Sequence, residues 1–208
     1  MSGDRSVGAI TLAQIRDALS GYTPQMASVS GKTPAAVAVL LHEDEGAARL
    51  LFIERSEHPT DPWSGDLAFP GGRIEPGDAG PRAAAERETF EETGIDLVKA
   101  EYLGRLDDLT GSTLPVVVSA LVYEVSTPGP LSLSAEVREC FWVPLDRLLD
   151  PQRQLERRFP FRGLEDRLLP AIDLLGPGRP VLWGITYRLT ARLLELAGQP
   201  LPRGRQPL

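Results

Sequence analysis

Three glutamates, Glu88, Glu91 and Glu92, stand at i, i+3 and i+4 in the segment GGRIEPGDAGPRAAAERETFEETGI, residues 71–95. At 3.6 residues per turn this spacing puts all three carboxylates on one face of a helix. Like charges placed this way repel, at a cost of a few tenths of a kcal/mol per pair. A divalent cation removes that cost. Hard carboxylate oxygens suit Mg²⁺ or Mn²⁺, which keep several waters and bridge to the phosphates of a substrate. An isolated E-x-x-E-E reads as a solvated surface, but two neighbours point to a cation. Gly71-Gly72 lies just upstream, where the carbonyl of Gly71 can reach the same ion with no side chain in the way. Arg87 adjoins the glutamates and can orient them through charge-assisted hydrogen bonds.

The elements that must position these groups read as follows. Leu12–Leu19 forms a short amphipathic helix with Thr11 as its N-cap, followed by a loop over 21–34. Ala35–Leu41 and Arg49–Glu54 are aliphatic runs on either side of an acidic, Gly-containing turn at 42–48, the pattern of a hairpin. After the loop 57–66 comes a short apolar segment, 67–69, broken by Pro70-Gly71-Gly72. The helix carrying the glutamates spans Arg82–Thr93 and closes on Gly94. Strands are expected at 97–106, 115–125 and 137–143, a short helix at 144–149, a hairpin at 157–174 and a last amphipathic helix at 181–197. Strands mixed with a few unevenly spaced helices indicate an α+β fold, a mixed sheet between helices, and not a regular βαβ array.

Composition narrows the function. The 208 residues carry 22 Lys+Arg against 29 Asp+Glu, a net charge of −7, with 42% hydrophobic content. Nonspecific binding to nucleic acid needs a basic footprint, which this balance does not provide. No run approaches the ~20 apolar residues of a membrane span. The single Cys140 excludes an intrachain disulfide and a multi-cysteine metal cluster, and it reads as a core residue in an apolar strand. With only His42 and His58, both read as surface residues, a His-based zinc site has few ligands. Asp4 near the start, with no apolar stretch after it, does not resemble a signal peptide, so a cytoplasmic protein is expected. Three parts are expected: an N-terminal helix and loop at 1–34, a catalytic domain at 35–198 and a flexible tail at 199–208.

The segment resembles the Nudix box, G-x5-E-x7-R-E-U-x-E-E-x-G-U, where U is a bulky aliphatic residue. Gly72, Arg87, Glu88, Glu91, Glu92, Gly94 and Ile95 occupy the positions of that signature. Asp78 replaces its first glutamate, the spacer from Asp78 to Arg87 is one residue longer, and Thr89 takes the first aliphatic position. The first two departures resemble the coenzyme A pyrophosphatase branch. Further segments are similar to the same branch: Leu51-Phe52-Ile53-Glu54-Arg55-Ser56, then Gly65 and Phe69-Pro70-Gly71-Gly72; Glu136-Val137 ahead of Phe141-Trp142-Val143-Pro144; and Leu182-Trp183-Gly184-Ile185-Thr186. That branch usually carries a basic residue shortly before the glycine. Here the loop 57–64 has neither Arg nor Lys.

The resemblance implies the Nudix fold over about residues 35–190 and a Mg²⁺- or Mn²⁺-dependent hydrolysis of a diphosphate by water. It implies metal ligation by Glu88, Glu91, Glu92 and the Gly71 carbonyl, with Arg87 orienting them. Either Glu88 or Glu136, in a loop before a strand, is the general base. Arg55 and Arg73 are candidates for the substrate's phosphates, and Trp63 for stacking on its base, or for packing on its own domain. Asp78 is expected to cap the box helix or the loop before it. The substrate is then a nucleotide-derived small molecule, with no nucleic acid or membrane partner. It is coenzyme A, cleaved to 3′,5′-ADP and 4′-phosphopantetheine, or another nucleoside diphosphate derivative. A non-catalytic nucleotide sensor ranks below both, because such modules tend to lose box glutamates. The apolar strands and N-terminal helix would permit a homodimer.

Overall fold

A computed structural model describes residues 10–59, 61, 63–159, 161 and 165–204. The ends of the expected N-terminal extension (1–9) and tail (205–208) lie outside them, as do Thr60 and Pro62 of the loop 57–64. In chain order the elements are α1 (Leu12–Ser20), β1 (Thr33–Asp44), β2 (Ala47–Arg55), β3 (Leu67–Ala68), β4 (Gly71–Arg73), α2 (Pro81–Thr93), β5 (Glu101–Arg105), β6 (Leu109–Thr110), β7 (Val116–Glu124), β8 (Val137–Pro144), α3 (Leu145–Leu149), β9 (Gln154–Arg158), β10 (Leu168–Ile172) and α4 (Gly184–Leu196).

β1 and β7 are the centre of a mixed sheet and pair in parallel from Thr33↔Val116 to Leu41↔Glu124. Ala35–Leu41 of β1 and, apart from Ser119, Val116–Val122 of β7 are aliphatic, as strand segments covered on two faces must be. On β1, Val39 and Leu41 face a core formed with α1 (Leu12, Ile15, Leu19) and α4 (Leu189, Leu193, Leu194). The alternate residues, Ala36, Ala38 and Leu40, face Ala84 and Ala85 of α2. The sheet is therefore sandwiched between helices, as expected. The apolar side of α1, considered above for a homodimer, is spent in this chain's own core.

The geometry of the site begins where β1 and β2 separate. They pair antiparallel only at the hairpin end, Leu41↔Leu50 to Asp44↔Ala47, across a tight turn with positive φ at Glu45 and Gly46. Beyond Leu41 the strands diverge, and the segment 67–73 runs in the gap. β3 pairs with β2 and β4 with β1, and the Ala38 N–H donates to the Pro70 carbonyl between them at 2.8 Å. β8 takes the other edge of β2.

Several expected boundaries are corrected. The strand expected at 97–106 begins at Glu101. Leu97–Lys99 is a 3₁₀ turn, because the Asp96 side chain caps the Val98 N–H and Val98 points outward at 83% exposure. The turn expected at 42–48 is shorter, since both strands run on to Asp44 and from Ala47. The last helix starts at Gly184. The late hairpin is displaced, with β9 beginning at Gln154 and β10 ending at Ile172. His42 is half-buried, its Nδ1 2.8 Å from the Val125 carbonyl and its ring against Trp142. His58 is exposed and Cys140 half-buried.

Candidate active site

α2 brings the carboxylates to the fork between β1 and β2. Its N-cap is Gly80, followed by Pro81 at the first helical position, and it closes on Gly94 in the left-handed conformation. Its inner side is Ala84, Ala85, Thr89, Glu92 and Thr93. Small residues there let the helix lie close to the sheet, and Thr89 at the box's first aliphatic position is fully buried.

Glu92 is 3% exposed. Its Oε2 accepts the Gly71 N–H at 2.8 Å, and its Oε1 lies 3.7 Å from Arg55 Nη1. Burial pushes its pKa up to about 7, and the charges of Glu88 and Glu136 add to the rise; the Gly71 hydrogen bond and Arg55 oppose it. Glu88 is also raised, mainly by burial, with smaller contributions from Glu91 and Glu136. Glu136 is exposed just before β8, yet close enough for its charge to act on both. Burial also pushes the neighbouring Cys140 thiol up to about 12, with the Glu92 charge adding to it, so this cysteine is a poor nucleophile.

Space is tight at both glycines, against backbone at Gly71 and against a side chain at Gly72. Gly71 has φ +150°, and a Cβ there would lie 2.6 Å from Val37 Cα and closer still to the Ala36 carbonyl oxygen. At Gly72 a Cβ would meet the Glu88 carboxyl carbon at 2.5 Å. The glycine pair thus forms a floor on which Glu88 and Glu92 rest.

Arg87 is the hub of the cluster. Its Nε and Nη2 grip Asp78 at 3.1 and 3.0 Å, and its Nη1 donates to Glu88 Oε1 at 2.9 Å and Glu91 Oε2 at 3.1 Å. Nη2 also donates to the Arg73 carbonyl at 3.2 Å. The Arg87 guanidinium holds the Asp78 carboxyl below its usual range. Asp78 therefore anchors Arg87 and the Glu75 N–H (2.8 Å); it does not cap α2.

The remaining candidates divide. Arg55 joins the cluster, but its fork is taken by Asp61 at 3.0 and 2.7 Å. Arg73 is exposed on β4. Trp63 packs against the main core. Sequence reasoning missed Asp61 and Asp66, whose partners come together only in the fold. Trp183 Nε1 donates to Asp66 Oδ1 at 2.8 Å, while its ring stacks on Phe159 with centroids 4.0 Å apart.

The donor set suits a hard divalent cation: carboxylate oxygens, two of them, on Glu88 and Glu92, partly or fully buried where burial disfavours the ionised form. Among the described residues no three carboxylates, imidazoles or thiols converge on one point. Glu88 and Glu91 are gathered around Arg87 Nη1. Glu88, Glu91 and Glu92 are the residues that would hold the ion, with the Gly71 carbonyl as the expected fourth oxygen.

Asp66 gives a stability prediction. Burial pushes it up to about 6, with the Trp183 hydrogen bond opposing. Its folded-state pKa exceeds the unfolded one, so ionisation opposes folding, and the penalty appears as pH rises from the ordinary carboxylate range through about 6. Asp66→Asn keeps an acceptor for Trp183. Its urea stability is expected to exceed wild type by at most about 3 kcal/mol above pH 7, with the gap closing below pH 4. A gap independent of pH would contradict the assignment.

Residues 32–162 match the family profile described as NUDIX domain. The chain is similar to the mitochondrial coenzyme A diphosphatase NUDT8 of Homo sapiens, 35% identical over 186 residues, covering 87% of this chain and 75% of the human protein. The Mus musculus protein of the same name is 34% identical over 189 residues, covering 82% of this chain and 87% of its own. Among solved structures, a MutT/nudix family protein from Enterococcus faecalis superposes with a TM-score of 0.51 at 18% identity, over 86% of this chain and 71% of that one. That likeness concerns the fold, and the compartment in the two names is the relatives' own. Among the described residues no helix is long and apolar enough to cross a membrane.

Proposed function

Because the chain belongs to the Nudix family of hydrolases, we propose that it cleaves the diphosphate of coenzyme A with the help of Mg²⁺ or Mn²⁺, releasing 3′,5′-ADP and 4′-phosphopantetheine. The observation that carries the chemistry is the pair of carboxylates, half-buried Glu88 and buried Glu92, held against the Gly71-Gly72 backbone. Coenzyme A is favoured by the likeness to proteins named coenzyme A diphosphatase over most of both chains.

When bound, the cation neutralises the diphosphate and makes water a better nucleophile. The chain's own residues do the rest. Glu88, Glu91 and Glu92 bind and orient through oxygen. Arg87, braced by Asp78, holds Glu88 and Glu91 in place. Glu136 accepts a proton from the attacking water, or Glu88 does so where it is not engaged as a ligand. Arg73, which makes no ion pair among the described residues, is free to meet a phosphate. Trp63, half-buried against the core, is the candidate for stacking on the base of the substrate. The reading places the chain in the cytoplasm and permits a homodimer.

One observation favours a second reading. Loop 57–64 supplies no cation and instead offers Asp61, which grips Arg55 and reduces the positive charge available to an extra phosphate. Another nucleoside diphosphate derivative is then the substrate. A screen that separates and quantifies the products formed from coenzyme A, ADP-ribose, a dinucleoside polyphosphate and nucleoside triphosphates decides between them. Coenzyme A is expected to show the highest kcat/KM. Activity only on the others overturns the substrate, and no turnover with either metal supports the sensor.

A further inference from the structure

Glu54, on β2 just before Arg55, is 1% exposed, and a carboxylate so buried must be neutralised by partners. Arg138 Nη1 lies 3.0 Å from its Oε1 and Arg179 Nη2 2.7 Å from its Oε2. The same Arg179 nitrogen reaches Glu139 Oε2. Glu54 and Glu139 stand directly opposite each other in the β2–β8 register, where like charges repel, and the guanidinium bridges them.

The register slips at this point. Glu54 pairs with Glu139 but Arg55 with Val137, so Arg138 is the extra residue of a β-bulge. A bulge bends its strand and re-aims the side chains around it. Directly beyond it the Ser56 N–H donates to the Glu136 carbonyl at 2.8 Å, and Glu136 is the residue whose charge acts on Glu88 and Glu92.

Such a cluster is a poor source of stability. Apolar residues of similar volume would fill the space without desolvating charges, and Arg179 Nε is left buried with no hydrogen-bond partner. What charged contacts add is direction. We infer that Glu54, clamped by Arg138 and Arg179, is a positioning residue: it fixes the bulge and thereby the place of the Glu136 carboxylate relative to Glu88 and Glu92. Arg179 lies between β10 and α4, so the clamp also ties the C-terminal segment to the site. The inference rests on the working role of Glu136 proposed above.

The test is a double-mutant cycle of Glu54→Gln with Glu136→Gln, read on the substrate that the screen identifies. A 1 Å misplacement of a reacting group costs about 100-fold, so Glu54→Gln is expected to lower kcat about 10- to 100-fold. KM is expected to stay within about 2-fold, the signature of a lost transition-state contribution. In the Glu136→Gln background the same change is expected to cost nothing further, because its effect passes through Glu136. Arg179→Met is expected to behave like Glu54→Gln, and Arg179→Lys to recover part of the loss. Losses that multiply in the double variant, or unchanged kcat in a folded Glu54→Gln protein, overturn the inference. A crystal structure of Glu54→Gln decides independently of turnover: a displaced Glu136 carboxylate supports the clamp and an unmoved one refutes it. A wild-type chain that hydrolyses nothing overturns the proposed function alone, and the crystallographic result still stands.

Discussion

Glu92→Gln is expected to give a folded protein whose kcat/KM lies about 10³-fold below wild type, a loss of about 4 kcal/mol of transition-state stabilisation. The two effects separate for a physical reason. Glu92 is 3% exposed, and burial disfavours its ionised form, so removing the charge relieves the fold. The amide oxygen of glutamine can still accept the Gly71 N–H, which Glu92 Oε2 takes at 2.8 Å. Thermal stability is therefore expected to equal or exceed that of wild type. What the variant lacks is a charged oxygen for a divalent cation, and neutral oxygens are weaker ligands for hard ions. A Glu92→Gln protein as active as wild type would remove Glu92 from the site. One that fails to fold would mean that its charge is structural.

The adjacent glycines are expected to respond in opposite ways. In Gly71→Ala the new Cβ meets backbone, 2.6 Å from Val37 Cα, at φ +150°. β1 is paired on both edges there, so it cannot yield. The variant is expected to lose more than about 3 kcal/mol and to be largely insoluble or unfolded. In Gly72→Ala the three atoms nearest the new Cβ are those of the Glu88 carboxyl group, the first at 2.5 Å. That end of a flexible side chain can swing away. Stability is expected to fall by less than about 1 kcal/mol, while displacement of Glu88 lowers kcat/KM about 100-fold. Urea unfolding and steady-state kinetics on the pair check both statements. A fully active Gly72→Ala protein would show that Glu88 does not work from its place above Gly72.

The part of the site that was legible in the sequence is the part built within one helix. Glu88, Glu91 and Glu92 share a face because of their spacing, and Arg87 reaches two of them within a turn. The Gly-Gly pair was legible as a place that has to stay free of side chains, although the reason for Gly71 is the β1 backbone behind it. Contacts across long stretches of chain were not legible: Glu54 with Arg179 is separated by 125 residues and Trp183 with Asp66 by 117, and nothing local announces them. Arg55 and Asp61 are only six residues apart, but a loop has no period to read.

The fold shows the same division. The aliphatic runs of β1, β2 and β7 identified themselves, as did α1 with its Thr11 cap, to which the structure adds the Gln14 side chain of a capping box. β4 did not, because Gly71-Gly72 reads as a break in the chain. It is a strand only because β1 and β2 part and leave hydrogen bonds for it to make. The apolar pair Leu97-Val98 reads as the start of a strand, whereas only Leu97 is buried.

The role proposed for the α2 carboxylates is to hold a divalent cation that enables diphosphate cleavage. Its most direct test is to strip the wild-type protein with a chelator, dialyse, and follow coenzyme A by separation of products with and without added Mg²⁺ or Mn²⁺. The expected result is no cleavage in the stripped protein and, on adding either ion, equal amounts of 3′,5′-ADP and 4′-phosphopantetheine. Cleavage that proceeds at the same rate without metal would contradict the account.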